Sequence, residues 1–192
     1  MYSRILVPLD GSSIAESALP YARLLCRAFS SPIELISVNE TEITPRSVAQ
    51  RLRSFNTPQH QVTSEDLSQV VATLTGAACK TTYTLAEGNA ANRIVQAAES
   101  APRTLIVICT RGRSGIKRWM LGSVTDKVVR TSTTPVLVVR GNARSEESIK
   151  VERVVLPLDG SPLAEQAIPH AAALASALKA KVTTVFVAPP NP

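Results

Sequence analysis

Residues 109–123 read Cys-Thr-Arg-Gly-Arg-Ser-Gly-Ile-Lys-Arg-Trp-Met-Leu-Gly-Ser, and these residue types suit the cradling of an anion. The stretch follows the apolar run Leu105-Ile106-Val107-Ile108 and precedes a segment in which Val124, Val128 and Val129 have helical spacing. A glycine-bearing loop that leaves a strand and ends in Gly-Ser at a helix start presents unpaired N–H groups with partial positive charge. Glycine lets the backbone approach a phosphate closely, and Ser123 adds a hydroxyl donor. The same Gly-Ser pair also serves ordinary turn and cap geometry, so the loop alone leaves both readings open.

No other set of residues competes with it. Cys26, Cys79 and Cys109 are far apart, odd in number and without a Cys-x-x-Cys pair, so neither a disulfide framework nor a zinc site is readable. Cys26 and Cys79 lie in apolar helical settings and read as buried packing residues in a reducing compartment. His60 and His170 join no metal-like cluster, and no nucleophile–base pair or convergent carboxylates suggest an enzyme. The formal charge of +6, from 21 basic and 15 acidic residues, raises nucleic acid as a partner. The basic residues are spread out, however, with local density only at Arg111, Arg113, Lys117 and Arg118, and no aromatic platform accompanies them. An anionic small molecule accounts for that cluster equally well, and a solvated basic face is simpler still. Neither a signal peptide nor an apolar stretch of membrane-spanning length is apparent, so a cytoplasmic, soluble protein is expected.

The elements that must position the loop alternate regularly. Arg4–Leu9 is a short apolar run of the kind buried on both faces of a sheet. Asp10-Gly11-Ser12 is its turn, and helix one runs to about Phe29. A strand at Ile33–Val38 and a long polar loop over 39–63, with a short helix near 46–54, come next. The pattern then predicts a helix over 64–79, a strand at Thr81–Ala86, a turn at Glu87-Gly88-Asn89 and a helix over 90–100. Strand Thr104–Cys109, a helix over 123–132 and a last, edge strand at Pro135–Arg140 complete it. Five strands with helical crossovers make an α/β fold, a doubly wound five-stranded parallel sheet sandwiched by helices. Ligands in such sheets sit beyond the carboxyl ends of the strands, where strand order reverses. Asp10, Val38-Asn39 and the glycine loop all fall on that edge.

The chain also repeats itself. Arg4-Ile5-Leu6-Val7-Pro8-Leu9-Asp10-Gly11 recurs as Arg153-Val154-Val155-Leu156-Pro157-Leu158-Asp159-Gly160, and the match continues through Pro20 and Pro169. The second copy holds a strand, a helix over 162–178 and a strand near 181–187. Hence residues 1–140 read as one domain, 141–152 as a polar exposed linker, and 153–192 as part of a second domain.

These residues resemble the universal stress protein family. The resemblance is carried by Ile5-Leu6-Val7-Pro8-Leu9-Asp10-Gly11-Ser12, Glu87-Gly88, Thr110-Arg111-Gly112-Arg113-Ser114-Gly115, Leu121-Gly122-Ser123-Val124 and Thr134–Arg140. It implies the adenine nucleotide alpha hydrolase-like, Rossmann-like version of the fold and a tandem arrangement with a shortened second domain. The family contains members that bind ATP and members that do not. Its binding signature is Gly, two residues, Gly, nine residues, then Gly with Ser or Thr. Gly112 and Gly122-Ser123 match it, whereas Cys109 stands at the first glycine. The resemblance places Asp10, beside Pro8 and Leu9, at the ribose and adenine, and the backbone of Val38 at the adenine edge. Gly112, Gly122, Ser123 and Val124 then fall at the phosphates, with Arg111 as an added phosphate contact. ATP, with Mg²⁺ as accompanying ion, is the implied cofactor, and a homodimer through residues 135–140 the implied assembly. The alternative is a dimerising interaction module in which Cys109 marks a lost nucleotide site.

Overall fold

In the computed structural model, residues 1–40, 61–76, 79–110, 121–141 and 148–186 are described. They divide into two compact units, Tyr2–Glu146 and Glu147–Pro192.

In the first unit the apolar runs become the centre of a sheet. Strands β1 (Arg4–Pro8), β2 (Ile33–Asn39), β3 (Thr81–Glu87), β4 (Thr104–Thr110) and β5 (Val136–Arg140) lie in the order β3-β2-β1-β4-β5. Every pairing is parallel, with Ile5 opposite both Ile33 and Leu105. Chain order reverses between β1 and β4, which sets the switch point there. Alternate residues of a strand face opposite sides. Leu6, Ile36, Ile106 and Ile108 share one side with Ala91, Ile94 and Ala98 of helix α4 (Ala90–Glu99) and Val128 of helix α5 (Ser123–Thr131). Ile5, Val7, Ile33, Leu35 and Val107 are equally buried on the other side, where helices α1 (Ser13–Glu16), α2 (Leu19–Phe29) and α3 (Ser64–Leu74) lie. Both faces of the sheet are thus covered, as the near-continuous apolar strands require.

One half-buried cation ties the layers together. The Arg4 guanidinium donates to Thr104 Oγ1, to Glu34 Oε2 at 2.8 Å, and to the carbonyls of Ala97 and Ala98 in the last turn of α4. Those last-turn carbonyls are the negative end of the helix, so the charge is well placed.

Four expectations need correction. The single helix expected over 13–29 is two, α1 and α2, and the one over 162–178 is also two, α6 (Pro162–Glu165) and α7 (Ala167–Leu178). Pro20 and Pro169 explain both breaks, because a proline supplies no N–H to the carbonyl four residues back. The helix expected over 64–79 stops at Leu74, and Cys79 leaves it to form an isolated bridge with Gly76. Most consequentially, Cys26 and Cys79 are not separate packing residues: they are buried and joined in a disulfide, Cα to Cα 6.1 Å. The short helix expected near 46–54 lies outside the described residues.

The second unit reproduces β1-α1-α2-β2 residue for residue. Strands β6 (Arg153–Leu158) and β7 (Lys181–Phe186) pair in parallel with Val154 opposite Val182, as Ile5 is opposite Ile33. Ser161 caps α6 as Ser12 caps α1, each accepting from the N–H three residues on. Gly160 and Gly11 have φ of +83° and +75°, a conformation that favours glycine. Lys179 and Ser30 end the long helices left-handed. The equivalence stops at burial. Val155 is 57% exposed where Leu6 is fully buried, and all of β7 is exposed.

Candidate functional site

Asp10 leaves the carboxyl end of β1 on an exposed turn, and its Oδ1 accepts from the N–H and the hydroxyl of Ser12. That hydroxyl in turn accepts from the N–H of Ala15 and starts α1. Pro8 and Leu9 precede Asp10 and are buried, with the N–H of Leu9 donating to Ile36 on β2. Val38 sits half-buried near the end of β2, packed against the core, and the next residue, Asn39, accepts from the Gly88 N–H and donates to the Val62 carbonyl. Val62 therefore closes down on the β1–β2 end, its Cγ2 only 3.1 Å from where a side chain on Gly11 would begin.

Cys109 ends the other side of the crevice, on β4. It is buried, and its thiol donates to the carbonyl of Thr110. Burial first, and then the negative charge of Asp10, push the thiol up to about 11 from its ordinary value near 9. Asp10 follows β1 and Cys109 lies near the end of β4, so the two stand at the carboxyl ends of neighbouring strands. The Cys109 carbonyl accepts from the buried hydroxyl of Thr125, which fixes α5 against the strand end.

Gly122 is the N-cap of α5 and provides no side-chain cap, in contrast to Ser12, Thr63 and Asn89 at α1, α3 and α4. Ser123 and Val124 open the helix directly behind it. Among the described residues no side chain caps the first turn of α5, whose backbone N–H groups lie at the end where the helix dipole is positive. The expected site residues Pro8, Leu9, Asp10, Val38, Cys109, Gly122, Ser123 and Val124 all come to the carboxyl edge of β1, β2 and β4 or to the start of α5. Arg111 and Gly112 lie outside the described residues.

Sequence reasoning missed Gly141, which was assigned to an exposed linker. It is half-buried. A β-carbon there would stand 2.8 Å from Ile14 Cγ2, 3.1 Å from the Thr110 carbonyl oxygen and 3.3 Å from Cys109 Sγ. The chain leaving β5 therefore crosses the end of β4 so closely that only glycine fits. A signal was present, a glycine directly after an apolar strand, but it looks the same as any turn glycine. Among the described residues no group of His, Cys, Asp or Glu is arranged to hold a metal ion, and no helix is long and apolar enough to cross a membrane.

The raised thiol makes Cys109 inert at ordinary pH, because the reactive form is the thiolate. In the native, unreduced protein at pH 8, Cys109 is expected to resist iodoacetamide, and to react as the pH approaches 11. Mass spectrometry after timed quenching checks this. The linkage has a matching sign: the folded state favours the protonated thiol, so stability from this group is intact below about pH 9 and lost as pH rises through about 11.

Comparison with known proteins adds to this geometry. The model of the universal stress protein family matches residues 1–140 and 150–192. Universal stress protein YxiE of Bacillus subtilis is 32% identical over 152 residues, covering 73% of this chain and 100% of the relative. The solved structure of a universal stress protein from Archaeoglobus fulgidus superposes with a TM-score of 0.76 over 99% of this chain and 69% of its own, at 20% identity. A universal stress protein solved in complex with cAMP matches with a TM-score of 0.54 over 73% of this chain and 99% of its own, also at 20% identity. Both structural likenesses bear on the fold.

Proposed function

Because the chain belongs to the universal stress protein family, we propose that its first unit is a nucleotide-binding stress-response module. It takes ATP, with Mg²⁺, at the carboxyl edge between β1 and β4 and acts through partner or dimer contacts. One observation carries this reading. Asp10, the Val38–Asn39 strand end and the side-chain-free cap of α5 converge on the switch point, where doubly wound sheets hold their ligands. The α5 N-terminus suits phosphate, and Asp10 suits hydroxyl groups of a ribose. The cAMP complex shows that a universal stress protein takes an adenine nucleotide. Strand β5, at the sheet edge with Val138 exposed, is the surface for a homodimer through residues 135–140.

A second reading is favoured by Cys109. Its buried side chain stands where the family's binding signature has glycine, with Gly141 pressed against it. A module closed in this way would work by dimerisation alone.

A thermal melt with and without millimolar ATP and Mg²⁺ decides between them. Ligand at about 100 times its dissociation constant adds about 2.7 kcal/mol, a rise of several degrees. The shift is expected in the wild type and lost in Gly122→Val, whose backbone φ of −60° accepts valine without strain. A folded wild type that shows no shift makes the dimerisation module the account.

A further inference from the structure

The disulfide between Cys26 and Cys79 has no part in the site just described. It joins the last turns of α2 to the residues leading into β3, across 53 residues of sequence. We propose that this pair is a redox site that, by thiol–disulfide exchange, locks or releases the edge arm formed by α3 and β3.

Packing does not demand a cysteine in α2. The repeat holds the same helix position with a buried Ala175, 6% exposed, in a unit with the same strand register and the same left-handed helix end. Cys26 is therefore an addition to a fold that forms without it, and what it adds is a bond to Cys79.

The arm it holds lies at an edge of the first unit's sheet and buries little apolar surface of its own. β3 is one of the two edge strands, and of its residues only Thr81 is buried. Helix α3 buries Leu67 and Leu74 alone. Segments with few buried apolar groups and an exposed edge ladder open locally, well before the sheet does. Such opening brings the buried sulfurs within reach of a small thiol without unfolding β1 or β4. Cys109, at the opposite end of the sheet, takes no part in the exchange.

The far end of the arm meets the functional edge. Val62, just before the Thr63 cap of α3, lies over Gly11, and its carbonyl accepts from Asn39. Releasing the Cys79 end frees α3 to carry Val62 away from the Asp10 turn. The inference stands on the disulfide and the arm, whether or not a nucleotide binds there.

The chemistry is balanced with a low-molecular-weight disulfide such as oxidised glutathione. The thiolate of one cysteine attacks the glutathione disulfide and expels one glutathione thiolate. The second cysteine then attacks the mixed disulfide, closing Cys26–Cys79 and expelling the other. Two protein thiols are oxidised and one glutathione disulfide is reduced to two thiols. Excess glutathione runs the sequence in reverse.

The test uses the full chain equilibrated in glutathione buffers stepped from fully oxidised to fully reduced, followed by acid quenching, alkylation and peptide mapping. Hydrogen exchange is measured on the two end states. The expected result is a two-electron transition at Cys26 and Cys79. On reduction, amides of 64–74 and 81–87 should exchange at least tenfold faster, with β1 and β4 unchanged. Cys26→Ala, which installs the residue used by the repeat, should exchange like the reduced protein. A bond that stays closed in fully reduced glutathione overturns the proposal, as does unchanged exchange in the arm. Loss of protection across the whole sheet also overturns it, since the bond would then be a global staple. A Cys26→Ala protein that exchanges like the oxidised form would do the same.

Discussion

Leu6→Ala is expected to lower unfolding free energy by about 3–4 kcal/mol, whereas Val155→Ala, at the same place in the repeat, should cost less than about 0.5 kcal/mol. Leu6 is fully buried at the sheet centre, among Ile36, Ile106, Ile94 and Val128. Truncation there removes apolar contact and leaves a void, because β1 is held on both sides by ladders to β2 and β4 and cannot collapse inward. Val155 has the same sequence context and strand register, yet 57% of it is exposed. In the first unit the matching face is covered by α4 and α5, and among the described residues the second unit has no counterpart of either. Urea titrations of the two variants, each fitted alongside the wild type, check this. Similar losses at both positions would mean that Val155 is covered in solution.

That contrast shows what kind of information sequence holds. The runs Ile5-Leu6-Val7 and Leu105–Ile108 were enough to place the two central strands, because a run buried on both faces leaves no alternation to misread. The repeat predicted the second unit down to its Ser161 cap, since caps and turns are decided by a few neighbouring residues. The placement of the candidate residues was legible for a related reason: a doubly wound sheet brings Asp10, Val38 and Cys109 to one edge wherever its strands are correctly assigned. What sequence hid was contact between distant segments. Cys26 and Cys79 are each unremarkable in an apolar helical pattern, and only the packing of α2 beside the lead-in to β3 makes them a pair. Gly141 resembles a linker glycine until Ile14 and the Thr110 carbonyl are seen against it. The break at Pro20 follows from proline's missing N–H, a local signal that the apolar pattern on both sides masks.

Cys109→Gly is expected to tighten nucleotide binding by about tenfold or more, equivalent to about 1.4 kcal/mol, and it is the substitution with the greatest leverage on function. The position lies next to the end of β4 at the switch point, on the strand beside the one that leads to Asp10 and shortly before the segment that leads to α5. A ligand lying across β1 and β4 toward the α5 N-terminus must pass the Cys109 side chain. That side chain has little room to yield, because it is buried and even a β-carbon on Gly141 would stand 3.3 Å from its sulfur. Glycine removes the thiol and leaves the backbone contact from Thr125 in place, since that hydroxyl donates to the Cys109 carbonyl rather than to sulfur. It also withdraws a small apolar group from a buried strand, so the ligand-free variant should melt a few degrees lower, a cost of about 1 kcal/mol. Affinity and stability therefore move in opposite directions, which separates a site effect from general loosening. Calorimetric titration of wild type and variant with ATP and Mg²⁺ reads the first, and melts without nucleotide read the second. Equal affinities in the two proteins would show that the ligand path avoids the end of β4. Binding by the variant alone would show that one side chain keeps this unit among the members of its family that work without nucleotide.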